Sequence, residues 1–345
     1  MQRLVFVTQV VDPADPNLGA TVAMIAALAR QVDEVAVICD RGVDGALPVN
    51  CRLRTFGAPT RAERARRYVA ALRAELEPRP LGVVAHMVPL YAIVAAPFVR
   101  PRRIPLALWY THWKAHLPLR AAALLCTQLV TAEERSFPLR SRKLRAIGHA
   151  IDVAGLPCSQ PCPAAGRPFV VAALGRYSPA KRLDELAAGV RIARERGLDA
   201  HLELHGTTGT SEEEACKRAL EGELAGEDWV SVGGPVPRTE IPAMLAAADL
   251  VAANFTAADK IVFEAGASCR PVLASYAGFE RLFAGIEPPL SFERGSPESF
   301  AERLLALAAL GDEGRSAVGR ELRERVVSGH SVDSWATRVL ELLAA

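Results

Sequence analysis

Basic side chains that follow a buried strand give the second half of the chain the character of an anion-binding site. In VAALGRYSPAKRLDEL (171–186), small and β-branched apolar residues run into Gly175, Arg176 follows, and Lys181 lies where a helical pattern begins. A glycine at a strand end lets the backbone turn and lets a ligand come close. Arginine suits phosphate through paired donors, lysine adds a point charge, and helix N-termini favour anions. The stretch predicts a diphosphate site without a metal; the plain alternative is an exposed Arg and Lys near a helix start.

A carboxylate one turn into a later helix is a second candidate group. The stretch DLVAANFTAADKIVFEAGASCRPVLAS (249–275) is typical of a strand, a loop, a helix from about Lys260 and another strand. At Glu264, a carboxylate directed at the strand ends would accept two charge-assisted hydrogen bonds from a ribose diol. The alternative is a solvated glutamate on a helix face. The first backbone amides of this helix predict a further anion site, formed by Asp259, Lys260, Ile261 and Val262.

Parallel sheets are the elements that must position these groups. Continuously apolar runs alternate with helical patterns, which is typical of a sheet covered by helices on both faces. The fold class is α/β, with doubly wound domains and ligands at the carboxyl ends of their strands. Predicted strands are 4–8, 34–40, 81–87, 105–111, 128–132, 146–150, 169–175, 201–206, 229–234, 250–255 and 271–275. Predicted helices are 19–30, 61–77, 89–99, 180–196, 211–222, 239–247, 260–268 and three more after 297.

A proline-rich stretch separates two predicted domains. GLPCSQPCPAAGRP (155–168) carries four prolines, and the strand–helix alternation restarts after it. We predict domains at 1–158 and 165–329, each near the roughly 150 residues of a typical domain. The first 160 residues carry a net charge of +9 and the remainder −7, within a total of +2. The first domain is therefore expected to face something anionic.

Composition favours a globular protein with a cytoplasmic location. Half of the residues are apolar and 23% are charged. No signal-peptide pattern precedes the first strand, and the apolar run 87–99 is shorter than the about 20 residues of a membrane span. The seven cysteines lack the spacing of a small disulfide scaffold and predict reduced thiols. Cys158 and Cys162 are poorly spaced for structural zinc.

Several common motifs are missing from the sequence. It has no G-x-x-x-x-G-K-[ST], no G-x-G-x-x-G after a strand, no G-x-S-x-G and no D-x-D. These absences disfavour a P-loop NTPase, a dinucleotide dehydrogenase, an α/β-hydrolase and a carboxylate-held metal on a diphosphate. A nucleic-acid binder is also disfavoured, because the overall charge is balanced and no aromatic-basic motif is present.

The C-terminal half resembles a GT-B glycosyltransferase of glycosyltransferase family 4, the retaining nucleotide-sugar enzymes. The matching features occur in the family's order over about 110 residues. They are Gly175-Arg176 with Lys181, HLELHG (201–206), VGGPVPR (232–238), ADLV (248–251), and DKIVFEA with G-x-S-C-R-P-V. In the N-terminal half the resemblance is carried by Gly19-Ala20, the strand ending at His86, YTHW (110–113) and IGHAID (147–152).

The resemblance implies a GT-B fold, in which two Rossmann-like domains face each other across a cleft. The domain at 1–158 would bind the acceptor, with the terminal helix 330–345 packed back on it, and the domain at 165–329 would bind the donor. A catalytic set would comprise His112, Arg176, Lys181 and Glu264. By the same resemblance Arg176 and Lys181 would hold the diphosphate, and Glu264 would bind the ribose. Val236 and Pro237 would line the base pocket through their backbone. Gly19 would lie where an N-terminal loop meets the phosphate or the sugar, and His112 would face the sugar. A satisfied structural histidine is the alternative for His112.

The sequence departs from the family pattern in three places. One is His149, which stands where a small polar residue is common. The family usually has E-x7-E, with the first glutamate on the donor sugar, but Thr256 stands eight residues before Glu264. Asp259 is a candidate substitute, or the sugar hydroxyls are bound differently. The family's Gly-Gly is here Gly19-Ala20, which puts close backbone approach at Ala20 in doubt.

The expected function is retaining transfer of a sugar from a UDP or GDP sugar to a hydroxyl of a glycan, glycolipid or small molecule. The expected ligands are this nucleotide-sugar co-substrate and the acceptor, with no metal cofactor and no nucleic acid. A nucleotide-sugar epimerase of the same fold and a non-catalytic scaffold subunit are the alternatives. The arginine-rich stretches 61–73 and 140–145 favour either peripheral contact with an anionic membrane or a solvated basic surface.

Overall fold

The computed structural model describes residues 2–15, 18–112, 114–158 and 166–345. The chain forms two compact units, Met1–Asp152 with Gly329–Ala345, and Val153–Ser328. Both are built from parallel strands and helices. The strands are β1 (Arg3–Val11), β2 (Glu34–Gly42), β3 (Cys51–Thr55), β4 (Gly82–His86), β5 (Leu106–Trp109), β6 (Gln128–Thr131), β7 (Leu144–Ala146), β8 (Phe169–Leu174), β9 (Ala200–His205), β10 (Val230–Val232), β11 (Leu250–Ala253) and β12 (Val272–Ala274).

Most of these strands are joined by helices. They are α1 (Ala20–Ala29), α2 (Arg61–Ala74), α3 (Pro89–Val99), α4 (Leu117–Leu125), α5 (Leu183–Glu195), α6 (Ser211–Glu223), α7 (Ile241–Ala247), α8 (Lys260–Ala267), α9 (Glu280–Phe283), α10 (Pro297–Ala308), α11 (Gly311–His330) and α12 (Val332–Ala344). Short 3₁₀ turns occupy Glu134–Ser136, Pro179–Lys181 and Ala277–Phe279.

The first unit is a seven-stranded parallel sheet in the order β3-β2-β1-β4-β5-β6-β7. Helices α1 and α12 share a buried cluster on one face, while α2, α3 and α4 share the cluster on the other. Trp335 of α12 is fully buried and meets the Trp109 ring edge-on at 5.5 Å. Gly82 leaves room for Leu343, since a Cβ there would lie 2.7 Å from a Leu343 methyl. The terminal helix is therefore part of the core of the first unit.

The second unit is a five-stranded parallel sheet in the order β10-β9-β8-β11-β12. From β8 the chain proceeds to β9 and β10 on one side, and it returns to β11 and β12 on the other. The strand order thus reverses between β8 and β11. In open sheets of this kind, ligands bind outside the carboxyl ends of the strands at such a reversal.

Three local predictions were wrong. The predicted strand 146–150 shares only Ala146 with β7, because Gly148 (φ +92°) and Ala150 (φ +55°) have left-handed backbone and prevent an extended run there. Strand β3 was missed because CRLRT lies at the sheet edge with half-exposed and exposed polar residues, so it lacks an apolar run. Helix α4 was also missed, because no helix was assigned between the predicted strands 105–111 and 128–132.

The expectation that the cysteines are reduced is wrong for two of them. Cys158 and Cys269 form a disulfide across 111 residues of chain. Cys162, the other cysteine of the C-x3-C motif that the sequence disfavoured as a zinc site, lies outside the described residues. Cys39, Cys51 and Cys126 are free, and burial raises their thiol pKa values to about 12, 11 and 12, so these thiols stay protonated.

Among the residues that the structure describes, no helix is both long enough and apolar enough to cross a bilayer.

The disulfide predicts a redox-dependent melting temperature. Cys158→Ser, or reduction of the wild type, is expected to lower the melting temperature by about 5–15 °C, because removing a disulfide typically costs about 2–5 kcal/mol. Differential scanning calorimetry measures this shift. Cys216→Ser is the matched control, because Cys216 is free and half-buried, and it should melt like the wild type. A melting temperature indifferent to reduction and to Cys158→Ser would contradict the assignment.

Candidate functional site

The loops after β8 and β11 flank the point where the order of the second sheet reverses. Because all five strands are parallel, their carboxyl ends lie along one edge of the sheet. Gly175 and Arg176 follow β8, and the segment from Asn254 to Asp259 joins β11 to α8. The two stretches that the sequence singled out are therefore neighbours in space.

The lysine of the first stretch is held against Gly175. Lys181 ends the Pro179–Lys181 turn and lies outside α5. This helix begins at Leu183, three residues later than the predicted start at 180. Gly175 has φ +146°, and a Cβ there would lie 2.4 Å from the Lys181 Nζ. Glycine is needed at this position for two reasons: it adopts the positive φ of the turn, and it leaves space for the ammonium group.

An ion pair joins the two loops. The Lys181 ammonium contacts the Asp259 carboxylate and donates to the Leu174 carbonyl at 3.3 Å. It also lies 5.3 Å from the centre of the Phe255 ring. An ammonium group has three hydrogens, so one remains for a ligand. Asp259 precedes α8 but makes no side-chain cap bond to it, because its carboxylate is turned to Lys181.

Arg176 presents much of its guanidinium to solvent. Its side chain is 66% exposed, and Nη1 donates to the Glu213 Oε1 at 3.1 Å. Glu213 is buried and fixed in turn, because its Oε2 accepts from the Gly209 amide at 2.7 Å. The Nε and Nη2 groups of Arg176 make no hydrogen bond within the described part of the chain. Glu213 therefore orients the guanidinium through Nη1, while Nε and Nη2 can donate to a ligand.

Glu264 is buried but already paired on one oxygen. Its Oε1 accepts from the Arg238 Nη1 at 2.5 Å and lies 3.4 Å from the Lys260 Nζ. Its Oε2 makes no hydrogen bond to the described residues. The predicted solvated alternative is wrong, since the Glu264 side chain is 7% exposed. The carboxylate therefore offers one oxygen, not two, to an incoming hydroxyl.

Arg238 is a site residue that the sequence argument missed. It lies 26 residues from Glu264, and its only local signal was its position directly after the predicted base-pocket residues Val236 and Pro237. Val236 is half-buried and Pro237 is exposed, and the Pro237 carbonyl accepts from the Glu240 amide at 2.9 Å. The Val236 amide and carbonyl make no hydrogen bond to other described residues.

The N-terminus of α8 differs from the prediction in one amide. The Val262 N–H donates to the Asp259 carbonyl at 3.1 Å, so it belongs to the first turn of the helix and is not open to an anion. The side chains of Ile261 and Val262 are buried, and Thr256 is exposed in the loop after β11. No carboxylate takes the place of the family's first glutamate at Thr256.

A buried tyrosine ties the β8 loop to the neighbouring strands. Tyr177 is fully buried, and its hydroxyl lies 3.0 Å from the Leu204 carbonyl and 2.8 Å from the Gly233 carbonyl. Burial raises the pKa of Tyr177, with a smaller contribution from Glu221, so the phenol remains a donor. A Cβ at Gly206 would lie 1.9 Å from the Gly175 carbonyl. Only glycine fits there, which fixes the conformation of the loop that carries Arg176.

In the first unit the corresponding reversal lies between β1 and β4. His86 ends β4, is buried, and places its Nδ1 3.0 Å from the Thr8 hydroxyl of β1. Gly19 precedes α1, and a Cβ there would lie 2.7 Å from the carbonyl oxygens of both Pro13 and Asp15. An open cavity of about 400 Å³ lies beside this loop, lined by Gln9, Val10, Asp15, Leu18, Asp40 and Arg41.

His112 is exposed and does not belong to a strand, because β5 ends at Trp109. Its Nδ1 accepts from the Lys114 amide at 3.1 Å. The histidine that anchors this loop is instead His116, whose Nδ1 accepts from the Leu119 amide at 3.2 Å. Its Nε2 must then carry the hydrogen, which faces the Tyr110 hydroxyl at 3.2 Å. His112 is therefore an exposed residue outside the strand, whereas His116 holds the loop through two hydrogen bonds.

Within the described part of the chain, no three His, Cys, Asp or Glu side chains are grouped to hold a metal ion.

Comparison with known proteins agrees with the fold and with the location of the motifs. Residues 168–309 match the model of the family described as Glycosyl transferases group 1. No curated protein sequence is similar enough to count as a match.

Solved structures match the whole chain. Alr3699/HepE from Anabaena, in complex with UDP and glucose, is 17% identical, with a TM-score of 0.74 and 100% of each chain covered. A glycosyltransferase from Rickettsia africae ESF-5 is 10% identical, with a TM-score of 0.76, covering 99% of this chain and 98% of that one. Sucrose-phosphate synthase from Thermosynechococcus elongatus is 16% identical, with a TM-score of 0.72 and the same coverage.

At these identities the likeness establishes the fold. The predicted α/β class and the resemblance to GT-B glycosyltransferases are confirmed, and the chain has the GT-B fold, with its match to the group 1 glycosyl transferases carried by the second unit.

Proposed function

We propose that the protein transfers a sugar from a UDP or GDP sugar to a hydroxyl of an acceptor, with retention at the anomeric carbon. One observation carries the proposal: the Lys181–Asp259 ion pair joins the loop after β8, which also carries Arg176, to the start of α8, which carries Glu264, where the strand order of the second sheet reverses. Two cations and a buried carboxylate at such an edge suit a diphosphate and a ribose. That Alr3699/HepE has been solved with UDP and with UDP-glucose supports this class of donor.

Charge stabilisation of the leaving diphosphate is the main catalytic task. The bond between the anomeric carbon and the diphosphate oxygen breaks, and the acceptor oxygen forms its bond on the same face. The acceptor proton passes to the departing phosphate oxygen. Arg176 supplies its open Nε and Nη2 donors, and Lys181 supplies its remaining hydrogen. Donors fixed in place before the reaction stabilise the developing charge without reorganisation.

Asp259 is the counterion of Lys181. Lys181 and Asp259 are 11% and 15% exposed, so neither charge is well hydrated and each needs the other. When the diphosphate binds, Lys181 shares its charge between phosphate and Asp259. Asp259 thus opposes binding of the anion while it holds the lysine in position, which is a different role from direct contact with the donor sugar.

The remaining residues are assigned to the base, the ribose and the sugar side. Glu264 accepts a ribose hydroxyl on Oε2 while Arg238 and Lys260 neutralise Oε1. Val236 binds the base through its open backbone groups. In the first unit, Gly19 and the exposed His112 contact the sugar and the acceptor. No metal cofactor takes part, because side-chain cations carry the phosphate charge, and the protein acts in the cytoplasm on a glycan, glycolipid or small-molecule hydroxyl.

A non-catalytic scaffold is the second candidate, favoured by one observation. Thr256 stands in place of a carboxylate, and Asp259, the nearest acidic side chain in sequence, is paired with Lys181. A protein of this kind would bind the nucleotide and transfer nothing.

Titration calorimetry with UDP, GDP and inorganic pyrophosphate separates the roles of the site residues. Lys181→Ala and Arg176→Ala should each weaken the binding of UDP and of pyrophosphate about 10–100-fold, because both ligands lose a charge-assisted hydrogen bond. Glu264→Gln should weaken UDP alone, since pyrophosphate has no ribose. Arg196→Ala is the matched control for Arg176→Ala, because Arg196 is exposed at the far end of α5, and its affinities should be unchanged. Equal losses of UDP and pyrophosphate in Glu264→Gln would contradict the ribose assignment.

Asp259→Asn tests the counterion role. Removing its negative charge should raise the affinity for pyrophosphate, because the anion then no longer competes with Asp259 for Lys181. Direct contact between Asp259 and the donor sugar predicts the opposite pattern: unchanged pyrophosphate affinity and weaker binding of the sugar nucleotide than of UDP.

Transfer itself is followed by NMR of the product's anomeric proton. UDP-glucose with mixed glycan and lipid acceptors, in EDTA and again in Mg²⁺, should give product of retained configuration at equal rates. Dependence on Mg²⁺ would contradict the metal-free site. Donor converted without an acceptor would indicate an epimerase, and tight UDP binding without any turnover would indicate the scaffold.

A further inference from the structure

Helices α3 and α4 expose large apolar side chains. Leu90 on α3 is 55% exposed, and Leu117 and Leu124 on α4 are 80% and 78% exposed. Leu117 and Leu124 are seven residues apart, about two helical turns, so they lie on the same side of α4. The inner side of α4 is occupied separately by the buried Leu119 and Ala122. The core therefore does not need the two exposed leucines.

The three helices α2, α3 and α4 form one layer. Their inner residues share a single buried cluster on one face of the first sheet, and α3 packs against both α2 and α4. The 140–145 segment adjoins the end of α4, because Lys143 donates to the carbonyls of Ala123, Leu124 and Cys126 at 3.2, 3.1 and 2.8 Å. The outer side of this layer and that segment thus make one surface, which we call the basic face.

Positive charge is concentrated on the part of the chain that builds this face. Residues 52–146 carry 18 Lys and Arg against 5 Glu, whereas residues 1–51 carry 3 Arg against 6 Asp and Glu. Several exposed arginines there make no side-chain hydrogen bond or ion pair with the other described residues. They are Arg66, Arg73, Arg100, Arg120, Arg140 and Arg142.

We propose that the basic face docks on an anionic lipid bilayer, with Leu117 and Leu124 inserted among the headgroups and the arginines on the lipid charges. Exposed leucines flanked by arginines are typical of an interfacial helix. Packing within the first unit explains neither these leucines nor these arginines. Basic residues near an anionic surface each add to binding, and the apolar side chains add a contribution that salt does not screen. This surface is independent of the donor site in the second unit.

Two other partners fit the face less well. Single-stranded nucleic acid is bound by stacking on exposed aromatic rings, and the large apolar residues exposed in the described chain are leucines and valines. A second copy of the same face would bring like charges together, which opposes association. The sequence had suggested α2 as the contact helix; Arg64 and Arg67 of α2 are paired with Asp40 and Glu63, and α4 supplies the apolar component.

Vesicle co-sedimentation of the full chain tests the proposal. Phosphatidylcholine vesicles containing phosphatidylglycerol should bind the protein, and pure phosphatidylcholine vesicles should bind it at least tenfold more weakly. The double variant Leu117→Ala with Leu124→Ala should lower the partition coefficient about tenfold or more, and Arg120→Glu should lower it by a similar factor. Leu310→Ala is the matched control, since Leu310 is exposed in the second unit, and it should bind like the wild type.

The melting temperature and far-UV circular dichroism of each variant serve as the folding control and should be unchanged, because the substituted side chains are exposed. Several outcomes would overturn the proposal: no binding to anionic vesicles, equal binding to both vesicle types, or wild-type binding by the leucine double variant. Binding of single-stranded RNA that displaces the vesicles and is lost in Arg120→Glu, with the leucine variant unaffected, would assign the face to nucleic acid instead.

Discussion

The ion pair between Lys181 and Asp259 organises the donor edge of the second unit. It joins the loop after β8 to the start of α8, 78 residues later, across the point where the strand order reverses. The absence of a side chain at Gly175 leaves space for the Lys181 ammonium group. The Asp259 carboxylate contacts this ammonium group and does not cap α8. The proposed site depends on this constraint, because the pair connects the loop that carries Arg176 to the helix that carries Glu264.

The two units use the same architecture with different chemistry at the reversal. In the first unit the bridge between neighbouring strands is a hydroxyl–imidazole contact, Thr8 with His86. In the second it is a cation and an anion of low exposure. A cation of low exposure can share its charge between Asp259 and a bound anion. This difference supports the proposal that the diphosphate binds to the second unit.

Sequence periodicity predicted most strands and helices because continuous apolar runs and helical spacing are local signals. Strand β3 escaped because an edge strand needs no apolar run, and 146–150 failed because glycine and alanine with left-handed backbone ended it. The site residues Arg176, Lys181 and Glu264 were found through glycine and helix-start patterns. Arg238 and the Cys158–Cys269 disulfide were not, because their partners lie 26 and 111 residues away and no local spacing encodes such contacts.

A crystal structure of the protein with UDP would show which groups hold the nucleotide. We expect the diphosphate within hydrogen-bond distance of the Arg176 guanidinium and the Lys181 ammonium, with a ribose hydroxyl on the Oε2 of Glu264. We also expect that Lys181 still contacts Asp259. A nucleotide bound elsewhere, or bound at this edge through a metal ion with Lys181 and Glu264 left in their present contacts, would contradict this expectation.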